Sequence, residues 1–210
     1  MLHAIYGGAF DPVHDGHLAV ARAARDVLDA DIALVPTGDP PHRRPAHAEA
    51  THRVAMLEHA IADEPRLSID RRELDRVGPS YTIATLAQLR AEHGPHAPLA
   101  MIVGSDAFAG LPDWHRWTEL LDLAHVVVAT RPDAEAVSPI LAAYIADRLR
   151  TIAAALHESP GGCVYRLMLA PHPQSSSAIR ARCASGLSLQ GWVPEAVAGY
   201  IAAHGLYRAD

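Results

Sequence analysis

Cysteine is scarce in this chain: Cys163 and Cys183 are the only two in 210 residues. That count excludes a disulfide framework and a four-cysteine zinc site. Long hydrophobic runs are also missing. No stretch approaches 18 consecutive apolar residues, so no membrane span is expected. The first residues lack the basic segment of a signal peptide, and Leu2-His3-Ala4-Ile5-Tyr6 runs straight into two glycines. A cytoplasmic protein is the expectation. Positive charge is in deficit: 18 Lys and Arg stand against 24 Asp and Glu, for a formal net charge of −6 with His neutral. Such a chain is a poor candidate for nucleic-acid binding. A local basic pocket for a phosphorylated small molecule remains compatible with it.

What is present is globular. Hydrophobic residues make up 50% and charged residues 20%, which excludes wholesale disorder. At about 150 residues per domain, the length points to one domain over 1–210. No repeat, low-complexity tract or linker divides the chain. Of the 14 histidines, most are expected to be surface or core residues without a task.

The hydrophobic pattern alternates between short apolar runs and helical spacing. Strands are expected over 4–6, 32–35, 67–69, 99–103, 125–130 and 164–169. Val126-Val127-Val128 suits a strand buried on both faces. Helices are expected over 16–28, 53–62, 80–92, 140–156, 177–185 and 194–204. Leu18, Ala21, Ala24 and Leu28 form the inward face of the first, and His93-Gly94 closes the third. Residues 37–50, rich in Pro, His and Arg, read as a loop. This alternation predicts an α/β fold: a Rossmann-like, doubly wound, mostly parallel sheet with flanking helices, the last ones (about 175–210) packed on the same sheet. Ligands of such sheets sit beyond the strands' carboxyl ends. That would gather residues 7–17, 36–44, 104–106, 131 and 171–180 around one crevice.

The strongest chemical signal is Gly7-Gly8-Ala9-Phe10-Asp11-Pro12-Val13-His14-Asp15-Gly16-His17. Glycines after a strand admit a ligand close to the backbone. His14 and His17, three apart at the opening of a helix, project on one side, with Gly16 leaving space between them. The helix start adds unpaired N–H groups and a positive dipole end. Together these make a phosphate cradle. Two histidines could also be solvent residues or metal ligands. The metal reading suffers because helical zinc pairs usually sit at i, i+4 and no third ligand stands at a telling distance.

The string resembles the signature of the nucleotidylyltransferase superfamily, Gly-Gly-Thr-Phe-Asp-Pro-x-His-x-Gly-His. More narrowly, the chain resembles the bacterial nicotinate-nucleotide adenylyltransferases over nearly its whole length. Beyond the first motif the resemblance rests on Pro40-Pro41-His42-Arg43, Ser80-Tyr81-Thr82, Ile102-Val103-Gly104-Ser105-Asp106, Trp114-His115-Arg116-Trp117, Arg131-Pro132 and Ser175-Ser176-Ser177-Ala178-Ile179-Arg180.

The resemblance implies roles for these residues. ATP would meet Gly8, Ala9, Phe10, His14, Gly16, His17, Gly104, Asp106, Ser176, Ser177 and Arg180. His14, His17 and Arg180 would be catalytic. Arg43, Thr82, Trp114 and His115 would bind the mononucleotide, with Trp114 offering a stacking surface for a pyridine ring. Each fragment alone also has a structural reading: a serine N-cap, an N-cap aspartate, a loop cation, a core tryptophan for Trp117. Three positions depart from the family. Arg43 stands where lysine is usual, and a guanidinium grips phosphate bidentately. His115 replaces a tyrosine, which matters little if the backbone makes the contact. Ala9 replaces threonine, so it keeps only a backbone role.

The reaction so implied joins nicotinate mononucleotide and ATP to give nicotinate adenine dinucleotide and pyrophosphate, in NAD biosynthesis. Mg²⁺ would ride on the triphosphate, with no protein ligand assigned. The partners are ATP and the mononucleotide, without nucleic acid or membrane; self-association into a homo-oligomer is left open. Alternatives are the same chemistry on another acceptor, such as nicotinamide mononucleotide, and a non-catalytic nucleotide-binding sensor. The sensor is disfavoured because His14, His17 and Arg180 are all present.

Overall fold

The apolar runs become strands because each meets a residue that stops it. In a computed structural model, which describes residues 1–38, 46–130 and 137–209, β1 (Leu2–Gly8) and β4 (Leu99–Gly104) end in glycine and β2 (Ala30–Pro36) in proline. Proline has no N–H to continue a ladder. The remaining strands are β3 (Leu67–Ile69), β5 (His125–Thr130), β6 (Leu149–Arg150) and β7 (Val164–Met168). The α-helices are α1 (Asp15–Leu28), α2 (Ala50–Ile61), α3 (Thr82–His93), α4 (Ser105–Ala109), α5 (Leu120–Leu123), α6 (Pro139–Ile145), α7 (Ser176–Ala184) and α8 (Glu195–Ala203).

All described strands pair in parallel, in the order β3-β2-β1-β4-β5-β7-β6. The chain winds outward from β1 in one direction and from β4 in the other. The sheet is therefore doubly wound, and its switch point lies between the carboxyl ends of β1 and β4. Period-two alternation sends neighbouring residues to opposite faces. Ala4, Ile32, Leu34, Ile102 and Val127 pack with Leu18 of α1, Leu57 of α2, Ile179 of α7 and Val197 and Ile201 of α8. Ile5, Val35, Met101, Val103 and Val128 pack with Leu86 and Leu89 of α3, Phe108 of α4, Leu121 of α5 and Leu141 of α6. Every residue of β5 is buried, as its valine run predicts. No described helix is long and apolar enough to cross a membrane.

The helix expected over 140–156 breaks up. Pro139 opens α6 and the Ser138 side chain caps it, but the helix stops at Ile145. Leu149 and Arg150 then pair with Val164 and Tyr165 of β7, and a short 3₁₀ segment, Ala153–His157, follows. The apolar spacing that reads as one helix is shared between environments: Leu141, Ile145 and Leu156 are buried, whereas Leu149 and Ile152 are exposed. The open edge of β7 offers the backbone of 149–150 a ladder, and this displaces the helical hydrogen bonds there. The short helices α4 and α5 have no counterpart among the sequence expectations, since five and four residues are too few to show a period.

The start of β5 is pinned by a buried histidine. His125 is fully buried; its Nδ1 accepts from the Cys163 N–H at 3.1 Å and its Nε2 donates to the Ser159 carbonyl at 2.9 Å. The loop between them lies so close that a Cβ on Gly161 would come within 2.9 Å of the Ala124 backbone. Burial holds the His125 imidazole below its ordinary value of 6.5, outweighing hydrogen bonds that favour the charged form. An unfolded chain therefore takes up a proton below about pH 6.5 that the folded chain refuses. Stability is full above that pH and is lost as pH falls towards the folded value. The melting temperature should drop between about pH 7.5 and pH 5.5. A His125→Gln variant should melt lower at the upper pH yet show a shallower fall; an equally steep fall would place the titration elsewhere.

Candidate active site

At the switch point the carboxyl ends of β1 and β4 part around a cavity of about 500 Å³. Gly7 and Gly8 of β1, Gly104 of β4, Asp106 and Ala107 of α4, and the segments carrying Thr82 and Trp114-His115 line it. Six of the sequence-derived positions thus share one space: Gly8, Thr82, Gly104, Asp106, Trp114 and His115. A Cβ at Gly104 would meet nothing within 4 Å, so the floor beside Asp106 is open. Asp106 lies in the first turn of α4 rather than capping it, and its residue is exposed. Trp114 and Trp117 are both half-buried against the core of the second face, and Trp117 also packs edge-on to Tyr144, 4.8 Å between centroids. Tyr81 and His115 face one another at 4.6 Å across the cavity wall.

The wall formed by 70–80 is set by a close approach. A Cβ on Gly38 would come within 2.2 Å of the Glu73 carbonyl oxygen, so only glycine fits there. Glu73 itself is buried and lines the cavity; its Oε1 accepts from the Thr85 hydroxyl at 2.8 Å. Burial pushes its carboxyl above the ordinary range, against the pull of that hydroxyl and of Arg76.

A second cluster lies where β1 turns into α1. His14 is the N-cap of α1, in extended conformation, and its Nδ1 accepts from the His17 N–H at 3.3 Å. With Nδ1 accepting, the ring proton of neutral His14 sits on Nε2. The two imidazoles stack at 3.7 Å. The space at Gly16 is used from within: a Cβ there would meet the His14 ring at 3.1 Å and the Gln174 carbonyl at 3.6 Å. Phe10, with φ 49°, is folded back so that its ring lies 5.0 Å from His17. His17 Nδ1 is sealed from solvent without a partner among the described residues, which leaves Nε2 as the ring nitrogen able to meet a ligand. Burial, and then the neighbouring His14 ring, hold the His17 imidazole well below its usual range, so it is neutral at pH 7.

The start of α7 closes this cluster. Ser175 caps α7 by accepting from the Ala178 N–H at 3.2 Å, and the Ser176 hydroxyl donates to the Pro12 carbonyl at 3.0 Å. The Ser177 hydroxyl lies 3.2 Å from that of Ser175. Arg180 Nη1 donates to the Asp11 carbonyl at 2.7 Å, which brings the guanidinium to the first motif. The Ala9 carbonyl accepts from Arg53 at 2.8 Å. Arg43 and Arg131 lie outside the described residues.

Besides Glu73, the buried Asp11 and Arg53 were not singled out by sequence reasoning. Asp11 accepts from the His47 N–H at 2.6 Å, the Ala48 N–H at 3.0 Å and the Tyr207 hydroxyl at 2.8 Å. Burial raises its carboxyl, but those hydrogen bonds and the Arg180 charge outweigh it and hold the group below the usual carboxylate range. Arg53 spans the carbonyls of Ala9 and Thr37 at 2.8 and 3.0 Å. Its only signal in the sequence is a cation within the apolar spacing of α2. Tyr207 gives no local signal at all.

Residues 5–182 match the profile of the family described as cytidylyltransferase-like. Relatives named "Probable nicotinate-nucleotide adenylyltransferase" include one from Stenotrophomonas maltophilia, 47% identical over 99% of this chain and 97% of the relative. Another from Laribacter hongkongensis is 47% identical over 98% of this chain and 94% of the relative. A third, from Pseudomonas aeruginosa, is 46% identical over 98% and 96%. Among solved structures, the Plasmodium falciparum nicotinic acid mononucleotide adenylyltransferase complexed with NaAD superposes with a TM-score of 0.75, at 17% identity, over 98% of this chain and 97% of that one. The chain belongs to the cytidylyltransferase-like family and, within it, to the nicotinate-nucleotide adenylyltransferases.

Proposed function

We infer that this chain transfers the adenylyl group of ATP to nicotinate mononucleotide, releasing pyrophosphate, as a step of NAD biosynthesis. The observation that carries the reading is near-half identity, end to end, with relatives named for this activity. The geometry supports it with two adjoining compartments at the switch point. One is a cavity with an aromatic wall, suited to a mononucleotide and the nucleoside of ATP. The other is a set of N–H donors, suited to a polyphosphate.

The attacking group is a 5′-phosphate oxygen of the mononucleotide. It bonds to the α-phosphorus of ATP as the bond from that phosphorus to the bridging oxygen of pyrophosphate breaks. The nucleophile is already ionised near neutral pH and the leaving group departs as an anion, so no general base is needed. Catalysis of this kind rests on positioning and on donors aimed at developing charge. We assign His14 and His17 to oxygens of the α- and β-phosphates, and Arg180 with the start of α7 to the β- and γ-phosphates. Gly8, Ala9, Phe10 and Gly16 shape the turn that presents them. Gly104 and Asp106 take the adenosine side; Thr82, Trp114 and His115 take the pyridine nucleotide.

Among the described residues no group of three or more His, Cys, Asp or Glu could cage a metal. Mg²⁺ would be carried by the triphosphate, where it would offset charge on the phosphate oxygens. The protein's share is then the hydrogen-bond donors themselves. Burial favours the neutral His17 ring in the unliganded chain, and we assign that ring an N–H donor role.

Three outcomes are expected. With ATP and Mg²⁺ held fixed, pyrophosphate release should be faster with nicotinate mononucleotide than with nicotinamide mononucleotide; release with neither would revive a binding-only role. His17→Ala should lower kcat by roughly 10²–10³-fold with little change in KM for the mononucleotide, and in the unliganded wild type NMR should follow the His17 ring to a titration midpoint below 6.5. Near-normal turnover, or a midpoint above that value, would remove His17 from this role. Trp114→Ala should raise KM for the mononucleotide about ten-fold while leaving KM for ATP unchanged; the opposite split would exchange the two nucleoside positions within the cavity.

A further inference from the structure

The end of the chain reaches back to the first motif. After α8 the backbone turns at Gly205, φ 61°, and the Leu206 N–H donates to the Ile201 carbonyl at 3.0 Å. Tyr207 then adopts φ 61°, a left-handed conformation that a bulky aromatic residue enters only at a cost. Its hydroxyl donates at 2.8 Å to Asp11 Oδ1, 196 residues earlier. Phe10, the residue before Asp11, is also left-handed, with φ 49°. One left-handed aromatic residue thus precedes the buried acid and another bonds to it.

That acid carries more than Tyr207. Asp11 Oδ2 accepts from the His47 N–H, Oδ1 also accepts from the Ala48 N–H, and the Asp11 carbonyl accepts from Arg180. Arg180 Nη1 lies a further 3.9 Å from Oδ2. The side chain of Asp11 thus ties its residue to 46–48 and to Tyr207, while its main-chain carbonyl anchors Arg180; a shift of this residue would move that anchor. We propose that Tyr207 is a positioning residue for the adenylyl transfer: its hydroxyl locks the Asp11 side chain, and through it the main-chain carbonyl that anchors Arg180 toward the phosphates. This rests on the assignment of Arg180 to the β- and γ-phosphates. Burial and the neighbouring Asp11 push the Tyr207 hydroxyl far above the usual tyrosine range, so it remains a donor at any working pH.

The test is steady-state kinetics and thermal melting of the full chain with Mg²⁺, ATP and nicotinate mononucleotide. Tyr207→Phe removes one hydroxyl and keeps the ring in the core. It should lower kcat/KM for ATP about ten-fold, the scale of a lost hydrogen bond to a charged group, with KM for the mononucleotide unchanged. Asp11→Asn should show the same split, and the double variant should be no worse than Asp11→Asn alone, because both act through one contact. A Tyr207→Phe enzyme that melts lower but handles ATP normally well below its melting temperature would overturn the proposal, as would additive losses in the double variant. Arg180→Ala separates the two layers. If it leaves ATP kinetics intact, the phosphate assignment falls and takes the lock with it. If it cuts them while Tyr207→Phe does not, the lock alone falls.

Discussion

The geometry of this site depends on a carboxylate almost wholly removed from water. Asp11 is 3% exposed, and a charge in that position must be met by donors or it destabilises the fold by several kcal/mol. The donors come from distant parts of the chain: the backbone at His47 and Ala48, and the hydroxyl of Tyr207. Each segment is therefore tied to the turn between β1 and α1 by the cost of leaving it. Arg53 plays the mirror role. It is a buried cation, 4% exposed, and it satisfies the carbonyls of Ala9 and Thr37. Burial pulls its guanidinium below the ordinary range, and the nearby Asp11 charge opposes that pull. The turn holding the histidines is thus braced by opposite buried charges on its two sides.

This bracing gives the two compartments their relation. Gly7 and Gly8 line the cavity, and two residues later Phe10 lies against His17. A group at the junction would touch both, and on the proposed reaction that group is the α-phosphate. Joining two phosphorylated molecules requires their reacting atoms to be held within about 3–3.5 Å, which a mobile turn could not do. The rigid sheet sets the ends of β1 and β4, and the buried charges set the turn between them.

How much of this could be read from sequence follows from the range of each interaction. Val126-Val127-Val128 announces a strand buried on both faces because burial acts on each residue singly. His14 and His17 are legible because a helix start places residues three apart side by side. The pattern over 140–156 misleads for a related reason. Its spacing is helical, yet the edge of β7 competes for the backbone of 149–150, and local spacing carries no information about that edge. Arg53 hides as one more charge on a helix. Tyr207 is out of reach altogether, since its partner lies 196 residues away and neither residue marks the other. Ser176 falls between these cases: its place at the start of α7 was readable, but its bond to Pro12 was not.

The electrostatics of the site also resolve an apparent conflict in composition. A chain of net charge −6 has to receive two anionic substrates. It need not do so with permanent charge. Stacked 3.7 Å apart, two imidazolium rings would repel each other strongly, and burial already favours the neutral form of His17. A neutral His17 avoids that repulsion and still offers a ring N–H. The permanent charge of Arg180 is then tethered through Nη1 to the Asp11 carbonyl. On the proposed assignment a phosphate chain would meet both the histidine pair and the anchored Arg180. The discrimination would then be geometric: an anion long enough to span from the histidine pair to α7 would gain from both.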